Sequence, residues 1–433
     1  MRVDGRTGAL AGKFFRWAHL LVLAASLVGG TASAQSRTTR PPVSPSSHPP
    51  GLTVYLMTMG PGKAVWERFG HNAIWIHDPA RGTDKTYNYG LFDLRQEKFL
   101  VRFLQGRMWY WMQGFPSESY VQLYRRANRS VWIQELEMSP AAERELQSFL
   151  EWNELPENRF YHYDYYRDNC STRVRDALDR ALGGRIKSYA GALGTGKTYR
   201  FHTQRLTAND PLVYTGLLLG LGHPVDREIS AWDEMFLPLA LRDHIRNVTV
   251  RGADGAQVPA VRSEQTLFES TENPPPQAPP FWLPAYVALG VAVAAGTIGL
   301  ARAGTTSPAA RRGFMAVSGG WTLLAGLFGL VLAGLWAFTD HTAAYQNENL
   351  FQLNPLQLAL FPLLVRSTSS SAQLPVWVAG FLAALSLAGL LLKPIPGFYQ
   401  VNGEIIGLAL PIHLGVASGC YYLSRCIPSR ASA

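Results

Sequence analysis

Apolar and polar positions alternate in the first part of this chain, recur at helical spacing in the middle, and run together in the last third. Residues 52–57, Leu-Thr-Val-Tyr-Leu-Met, predict a strand followed by a Pro61-Gly62 turn. A second strand is predicted at 72–77, closed by Asp78-Pro79, and a third at 86–89 after the turn at 81–84. Residues 96–104 are expected to be helical. The block Met108-Trp109-Tyr110-Trp111-Met112 suits a buried core strand, an acyl-chain pocket or a segment dipping into a bilayer interface. Ser139 caps and Pro140 opens a helix striped with Leu146, Phe149 and Leu150. Val174, Ala177, Leu178, Ala181 and Leu182 then recur at helical spacing until Gly183-Gly184 stops the pattern. Residues 212–221 are apolar but too short to span a membrane, which predicts a core or interfacial helix. An amphipathic helix interrupted at Pro238 covers 232–245, and a hairpin turning at Asp254-Gly255 covers 247–261.

Beyond residue 280 the alternation ends. Candidate spans at 281–300, 316–338, 374–392 and 405–423 each approach the roughly 20 apolar residues a bilayer crossing needs. Arg302, Arg311 and Arg312 place the first connecting loop in the cytoplasm, and the loop with Lys393 is expected there too. Four crossings leave the tail, with Arg425 and Arg430, on the outer side, against the positive-inside rule. Residues 340–373 then lie on the side of the preceding domain. They hold Tyr345-Gln346-Asn347-Glu348-Asn349 and an amphipathic piece at 353–365, which suits a re-entrant or interfacial segment or an ordinary hydrated loop. At the other end, Arg2, Arg6, Lys13 and Arg16, an apolar core at 20–28 and Ala32-Ser33-Ala34 have the form of a signal peptide, with an uncleaved anchor as the alternative. The expected organisation is a signal peptide at 1–34, a flexible linker at 35–51, an exported domain at 52–262, a proline-rich linker at 263–280, a membrane domain at 281–424 and a tail at 425–433. The fold class is α+β, followed by an all-α domain of about four transmembrane helices.

Composition sharpens this outline. Charged residues are only 16% of the chain and the net charge is +9, which suits anionic lipid headgroups. No Lys/Arg-rich run points to nucleic acid. The cysteines are Cys170, Cys420 and Cys426; the last two are near enough to pair, but the three form no disulfide framework. His202, His223 and His244 lack metal-ligand spacing, so neither a metal nor another cofactor is expected. Gly191-Ala192-Leu193-Gly194-Thr195-Gly196-Lys197-Thr198 matches a phosphate-binding loop, but 186–189 is a poor buried strand and 199–202 a poor helix start. Nucleotide is therefore not an expected partner.

The candidate chemistry gathers around Cys170. Asp168 and Asn169 are cap-type residues, so Cys170 falls in the first turn of its helix, where free N–H groups and the helix dipole stabilise an anion. Such a position lowers a thiol from about 8.5 towards neutrality, and the thiolate is the nucleophile. A buried structural cysteine is the competing reading. Upstream, Phe69-Gly70-His71-Asn72 sets an imidazole at the mouth of a strand, able to deprotonate the thiol and later protonate a leaving group. On the next strand Asn88, with Asp93 as the alternative, is expected to orient that base. The Cys170 N–H, helped by the Asn169 side chain, is expected to stabilise an oxyanion. Arg173, one turn on, suits a phosphate or oxyanion, or a salt bridge to Asp164 or Asp176.

The order His first, then Asn-Cys at a helix start, resembles the circularly permuted papain-like enzymes, the group that includes lecithin retinol acyltransferase. More closely, Phe69-Gly70-His71-Asn72, Tyr87-Asn88-Tyr89-Gly90-Leu91-Phe92-Asp93 and Tyr163-Asp164-Tyr165-Tyr166-Arg167-Asp168-Asn169-Cys170-Ser171-Thr172-Arg173 resemble the exported domain of the Lnb family, bacterial lipoprotein N-acyltransferases. The resemblance covers roughly 52–250. It extends to the helical membrane region that follows, where residues 347–355 are also similar. It implies a permuted papain-like exported domain and a two-step reaction. A membrane phospholipid donates an acyl chain to Cys170 as a thioester, and the amine of a diacylglyceryl-cysteine at a lipoprotein's N-terminus accepts it. His71 serves first as acid, then as base. Two alternatives stand beside this: a membrane-anchored cell-wall amidase or endopeptidase with the same Cys-His pair, and a non-catalytic membrane-anchored binding module.

Overall fold

The computed structural model describes residues 51–252, 254–366 and 373–425. The expected signal peptide, almost all of the linker after it, Cys426 and Arg430 lie outside the described residues.

Strands β1 (Thr53–Met59), β2 (His71–Asp78), β3 (Thr83–Leu91), β4 (Trp109–Pro116), β5 (Val131–Leu136) and β6 (Phe160–His162) come first. Two short antiparallel pairs follow, β7 (Gly194–Thr198) with β8 (Glu228–Ser230) and β9 (Thr249–Arg251) with β10 (Gln257–Pro259), and then β11 (Val261–Phe268). The main sheet has the order β11-β5-β1-β2-β3-β4-β6, and its neighbours pair antiparallel. Strand β11 shows that the folded domain runs past residue 262. Val261 to Phe268 zips onto β5, so the proline-rich connection is shorter than its composition suggested.

Period-two alternation sends the two sides of these strands into different cores. Val54, Leu56, Ile74, Ile76, Tyr87 and Tyr89 face one core, shared with Leu146 and Leu150 of helix α3 and Val174, Ala177 and Leu178 of helix α4. Met57, Met59, Ala73, Val131 and Ile133 face the other, covered by Tyr120, Val121 and Tyr124 of helix α2. The helices of this domain are α1 (Phe99–Gln105), α2 (Ser117–Arg126), α3 (Pro140–Glu154), α4 (Cys170–Ala181), α5 (Arg185–Ala190), α6 (Tyr199–Thr207), α7 (Pro211–Gly220), α8 (Ala231–Glu234) and α9 (Pro238–Ile245). As the sequence predicts, Ser139 Oγ accepts from the Ala142 N–H at the start of α3. The block at 108–112 is mostly strand β4, with Met108 and Met112 fully inside.

The second half is helical: α10 (Leu283–Ala303), α11 (Pro308–Phe338), α12 (Gln357–Arg366), α13 (Gln373–Leu391) and α14 (Gly403–Arg425). Four of these are long and apolar enough to cross a membrane, and α12 is the short exception. Backbones approach closely at small residues: a Cβ on Gly290 would lie 2.6 Å from the Gly407 carbonyl, and one on Gly415 2.8 Å from Ala294. The exported domain sits on one end of this bundle. Asn347 Nδ2 donates to the Leu219 carbonyl at 2.7 Å, and Asn349 Nδ2 to the Leu218 carbonyl at 2.8 Å. Tyr214, Leu218 and Ile405 share a small apolar core with Trp282, so the inner face of α7 packs against the helical bundle.

The direction of α12 revises the expected connections. Gly329 adjoins Asn354, Gly326 adjoins Leu358 and Gly319 adjoins Phe361, so α12 runs antiparallel to α11 and carries the chain back to the far end. Helix α13 then returns, since Gly389 adjoins Phe351 and Gln352. The following loop is therefore on the side of the exported domain, where Lys393 Nζ pairs with Glu348 at 2.5 Å and Gln400 Nε2 donates to the Leu221 carbonyl. Lys393 was expected on the opposite side. It is a single lysine, and the bias is set by the Lys/Arg of the loops together, with Arg302, Arg311 and Arg312 at the other end.

Candidate active site

Strand β2 begins at His71 and strand β3 carries Asn88 opposite Ala73, one diagonal step from His71. The Nε2–H of His71 donates to Asn88 Oδ1, which fixes the ring and leaves the lone pair on Nδ1. Asp93, the other candidate for this role, is instead tied to its neighbour Arg95. The ladder between β2 and β3 ends at Ala73 and Asn88, and β3 turns away through Gly90 at φ 96°. The start of α4 fills the opening. A methyl group on Gly90 would lie 3.2 Å from Cys170 Cβ and 3.8 Å from His71 Cε1, so the missing side chain leaves room for the start of α4, and both residues border this one point of β3.

Hydrogen bonds hold the start of α4 against the strand. Ser171 Oγ donates to Asn72 Oδ1 at 2.8 Å and also lies 2.7 Å from the Met235 carbonyl. Asn72 Nδ2 in turn donates to Thr58 Oγ1 at 2.8 Å. Asn169 is the N-cap, its Oδ1 accepting from the Ser171 and Thr172 N–H groups, both at 2.9 Å. Its Nδ2 donates to the Tyr165 and Phe236 carbonyls. The whole Asn169 amide is thus used in building the helix start, and it is not a free oxyanion donor as the sequence suggested. The backbone N–H groups of Asn72, Ser171 and Cys170 favour the thiolate form of Cys170 instead.

Electrostatics differ from the expectation for a helix start. Burial pushes the half-buried Cys170 thiol up to about 11, outweighing the three N–H groups and the nearby Arg129 guanidinium, all of which favour the thiolate. Burial likewise lowers His71 to about 4, against the Asn88 hydrogen bond that supports the charged ring, and Arg129 lowers it further. Arg129, which no motif singles out, is itself buried. It lies 4.7 Å from the centre of the Tyr124 ring, donates to the Gly60 carbonyl and pairs with Glu67 at 3.2 Å.

Arg173 is a near neighbour with its own partner. Its Nη2 donates to Asp168 Oδ2 at 2.6 Å, not to Asp164 or Asp176, and its guanidinium lies 4.3 Å from the centre of the Tyr161 ring. Asp164 is occupied by the N–H groups of Tyr166 and Arg167, and Asp176 by Arg175. The Gly191–Thr198 stretch is far from a phosphate loop in form: its second half is the strand β7, and Lys197 pairs with Glu234 at 3.0 Å. Glu234 also accepts from His244 at 2.7 Å and has His202 Nε2 3.0 Å away, which accounts for two of the three noted histidines. Among the described residues no group of three or more His, Cys, Asp or Glu is placed to hold a metal.

These residue types suit acyl transfer: a thiol, an imidazole whose Nε2 is held by Asn88, and backbone N–H groups that favour the thiolate. A family model for the Lnb N-terminal periplasmic domain matches residues 43–205, and one for the Lnb transmembrane domain matches residues 281–422. No curated protein and no solved structure matches the chain.

Proposed function

The chain belongs to the Lnb family, as a multi-pass inner-membrane protein with a periplasmic domain and a lipoprotein-modifying role, and from that premise we propose that it is a thiol-dependent lipoprotein N-acyltransferase. What supports this reading is Cys170 at the start of α4, with the Asn88-held imidazole of His71 grouped with it around Gly90. In the first half-reaction the Cys170 sulfur attacks an ester carbonyl of a membrane phospholipid while His71 Nδ1 takes the thiol proton. The tetrahedral oxyanion is held by the backbone N–H groups of Cys170 and Asn72. Collapse breaks the ester C–O bond, and the departing lysophospholipid oxygen takes the proton back from His71. In the second half-reaction the free amine of a diacylglyceryl-cysteine attacks the thioester. His71 accepts the amine proton and returns it to sulfur, leaving an amide and the original thiol.

Asn88 keeps the ring in the tautomer this cycle needs. Arg173 acts through Asp168 and Tyr161, shaping the wall beside Cys170. Asn169 serves by fixing the helix start.

Replacing Cys170 by Ser tests the assignment in a strain that depends on this protein for lipoprotein N-acylation. The expected result, read by mass spectrometry of lipoprotein N-termini, is a loss of at least about a thousandfold in N-acylation. The wild-type protein incubated with phospholipid should carry an acyl thioester on Cys170. Retained N-acylation in the Ser variant would overturn the proposal, and release of muropeptides by the wild type would point to the cell-wall amidase instead.

A further inference from the structure

Helix α1 presents two apolar faces. Phe99 stacks on Phe92 on the side of the domain and Phe103, itself 41% exposed, stacks on Phe99, whereas Leu100, Val101 and Leu104 point outwards and are 67%, 50% and 57% exposed. Leu94, just before the helix, is exposed as well. So many large apolar side chains in one place are uncommon on a surface that meets only water.

The position of α1 identifies what it meets. The Gln105 carbonyl accepts from the Asp340 N–H at 2.8 Å, Arg107 pairs with Asp340 at 2.6 Å, and His341 Nε2 lies 2.8 Å from the Phe103 carbonyl. Asp340 and His341 follow directly on α11, whose last residue, Phe338, is 84% exposed. Helix α1 is therefore fastened at the height where a membrane-crossing helix leaves the bilayer. Lys98 and Arg102 stand on it among these apolar residues, as they would at the headgroup level.

The inner face leads to the nucleophile. Ring contacts run from Phe103 to Phe99, Phe92, Tyr110 and Tyr163, with the last pair stacked at 4.1 Å. Tyr110 and Tyr163 pack together with Cys170 against the main core. From Tyr163 the contacts return through Tyr165 to His341 and Phe103, closing a circuit of aromatic rings between α1 and the site.

We propose that α1 lies in the periplasmic leaflet of the inner membrane and that the aromatic wall behind it leads one acyl chain of a diacyl phospholipid from that leaflet to Cys170. This rests on the acyltransferase reading for its second half; the location of α1 in the leaflet stands apart from it. Polarity decides the path. A chain leaving the bilayer travels against aromatic side chains and never crosses water, and its headgroup stays beside Lys98 and Arg102.

The test uses the full chain in vesicles of phosphatidylethanolamine and phosphatidylglycerol. In the double variant Leu100→Glu/Leu104→Glu, acylation of Cys170 from vesicle phospholipid should fall at least tenfold. Acylation from a water-soluble short-chain p-nitrophenyl ester should stay within twofold of wild type. Unchanged use of phospholipid, or an equal fall with both donors, would overturn the role of α1. A wild type acylated by neither donor would sink the Cys170 mechanism instead. Independently, Leu100→Cys with Cys170, Cys420 and Cys426 replaced by Ser, labelled with bimane in the same vesicles, should be quenched by lipids carrying a shallow doxyl group. Quenching by aqueous iodide alone would place α1 in water and end the proposal.

Discussion

Between Cys170 and His71 the proton rests on sulfur. The thiol is held up at about 11 and the imidazole down at about 4, so between those values both groups are neutral. The thiolate fraction of such a cysteine grows about tenfold for each pH unit until its pKa is reached. Alkylation of Cys170 by iodoacetamide should therefore keep rising through pH 8, 9 and 10. A cysteine in a thiolate–imidazolium pair would give a plateau from mildly acidic pH. A rate that levels off below pH 7, measured by mass spectrometry of the Cys170 peptide, would show that the ion pair forms at rest and that the imidazole is not the base during attack. The sequence placed Cys170 at a helix start and so predicted a lowered pKa, and the helix start is there. What could not be read from it was how β2 and β3 close on the start of α4, because that packing joins parts of the chain far apart in sequence, as the Ser171 contact with Asn72, 99 positions away, shows.

At the scale of elements, the site depends on how the first turn of α4 is pinned to β2 and to the Met235-Phe236 turn. Asn169 was legible as a cap because cap residues act within their own turn, while the Ser171 contacts join three separate parts of the chain. Removing the Ser171 hydroxyl leaves the Asn72 and Met235 oxygens buried with one partner fewer, at a cost of about 1–3 kcal/mol. Ser171→Ala should unfold at a lower temperature by several degrees and lose turnover with soluble acyl donors, because Cys170 is the next residue. Calorimetry in detergent and a short-chain ester assay would measure the two effects. An unchanged melting temperature would show that the lock contributes nothing. Strand β3 teaches the same lesson from the other side. Its alternation was visible in the sequence, and Asn88 follows from register, but the turn of Gly90 away from β2 depends on tertiary packing against α4.

For the whole molecule, the number of times the chain crosses the bilayer follows from contacts that hydropathy does not contain. Helix α12 has ten residues and a proline, so it falls below any span criterion based on length, yet its contacts with Gly326 and Gly319 of α11 carry the chain to the end where Arg311 and Arg312 lie. One face of it is packed in protein, with Leu360 and Leu364 in the same core as Phe314, Leu382 and Val416. Counting this passage, α14 runs parallel to α10, and Arg302 reaches the Tyr422 hydroxyl at 3.1 Å. Arg302, Arg311, Arg312 and Arg425 then share one end of the bundle, which removes the conflict with the positive-inside rule that four crossings created. A fluorescent protein fused after Arg425 should fold and fluoresce in the cytoplasm, and alkaline phosphatase fused at the same place should be inactive. A fusion in the 393–399 loop should give the opposite pair of results. Active phosphatase after Arg425 would mean that α12 returns to the periplasmic side, and the bundle contacts between α11 and α12 would have to be wrong.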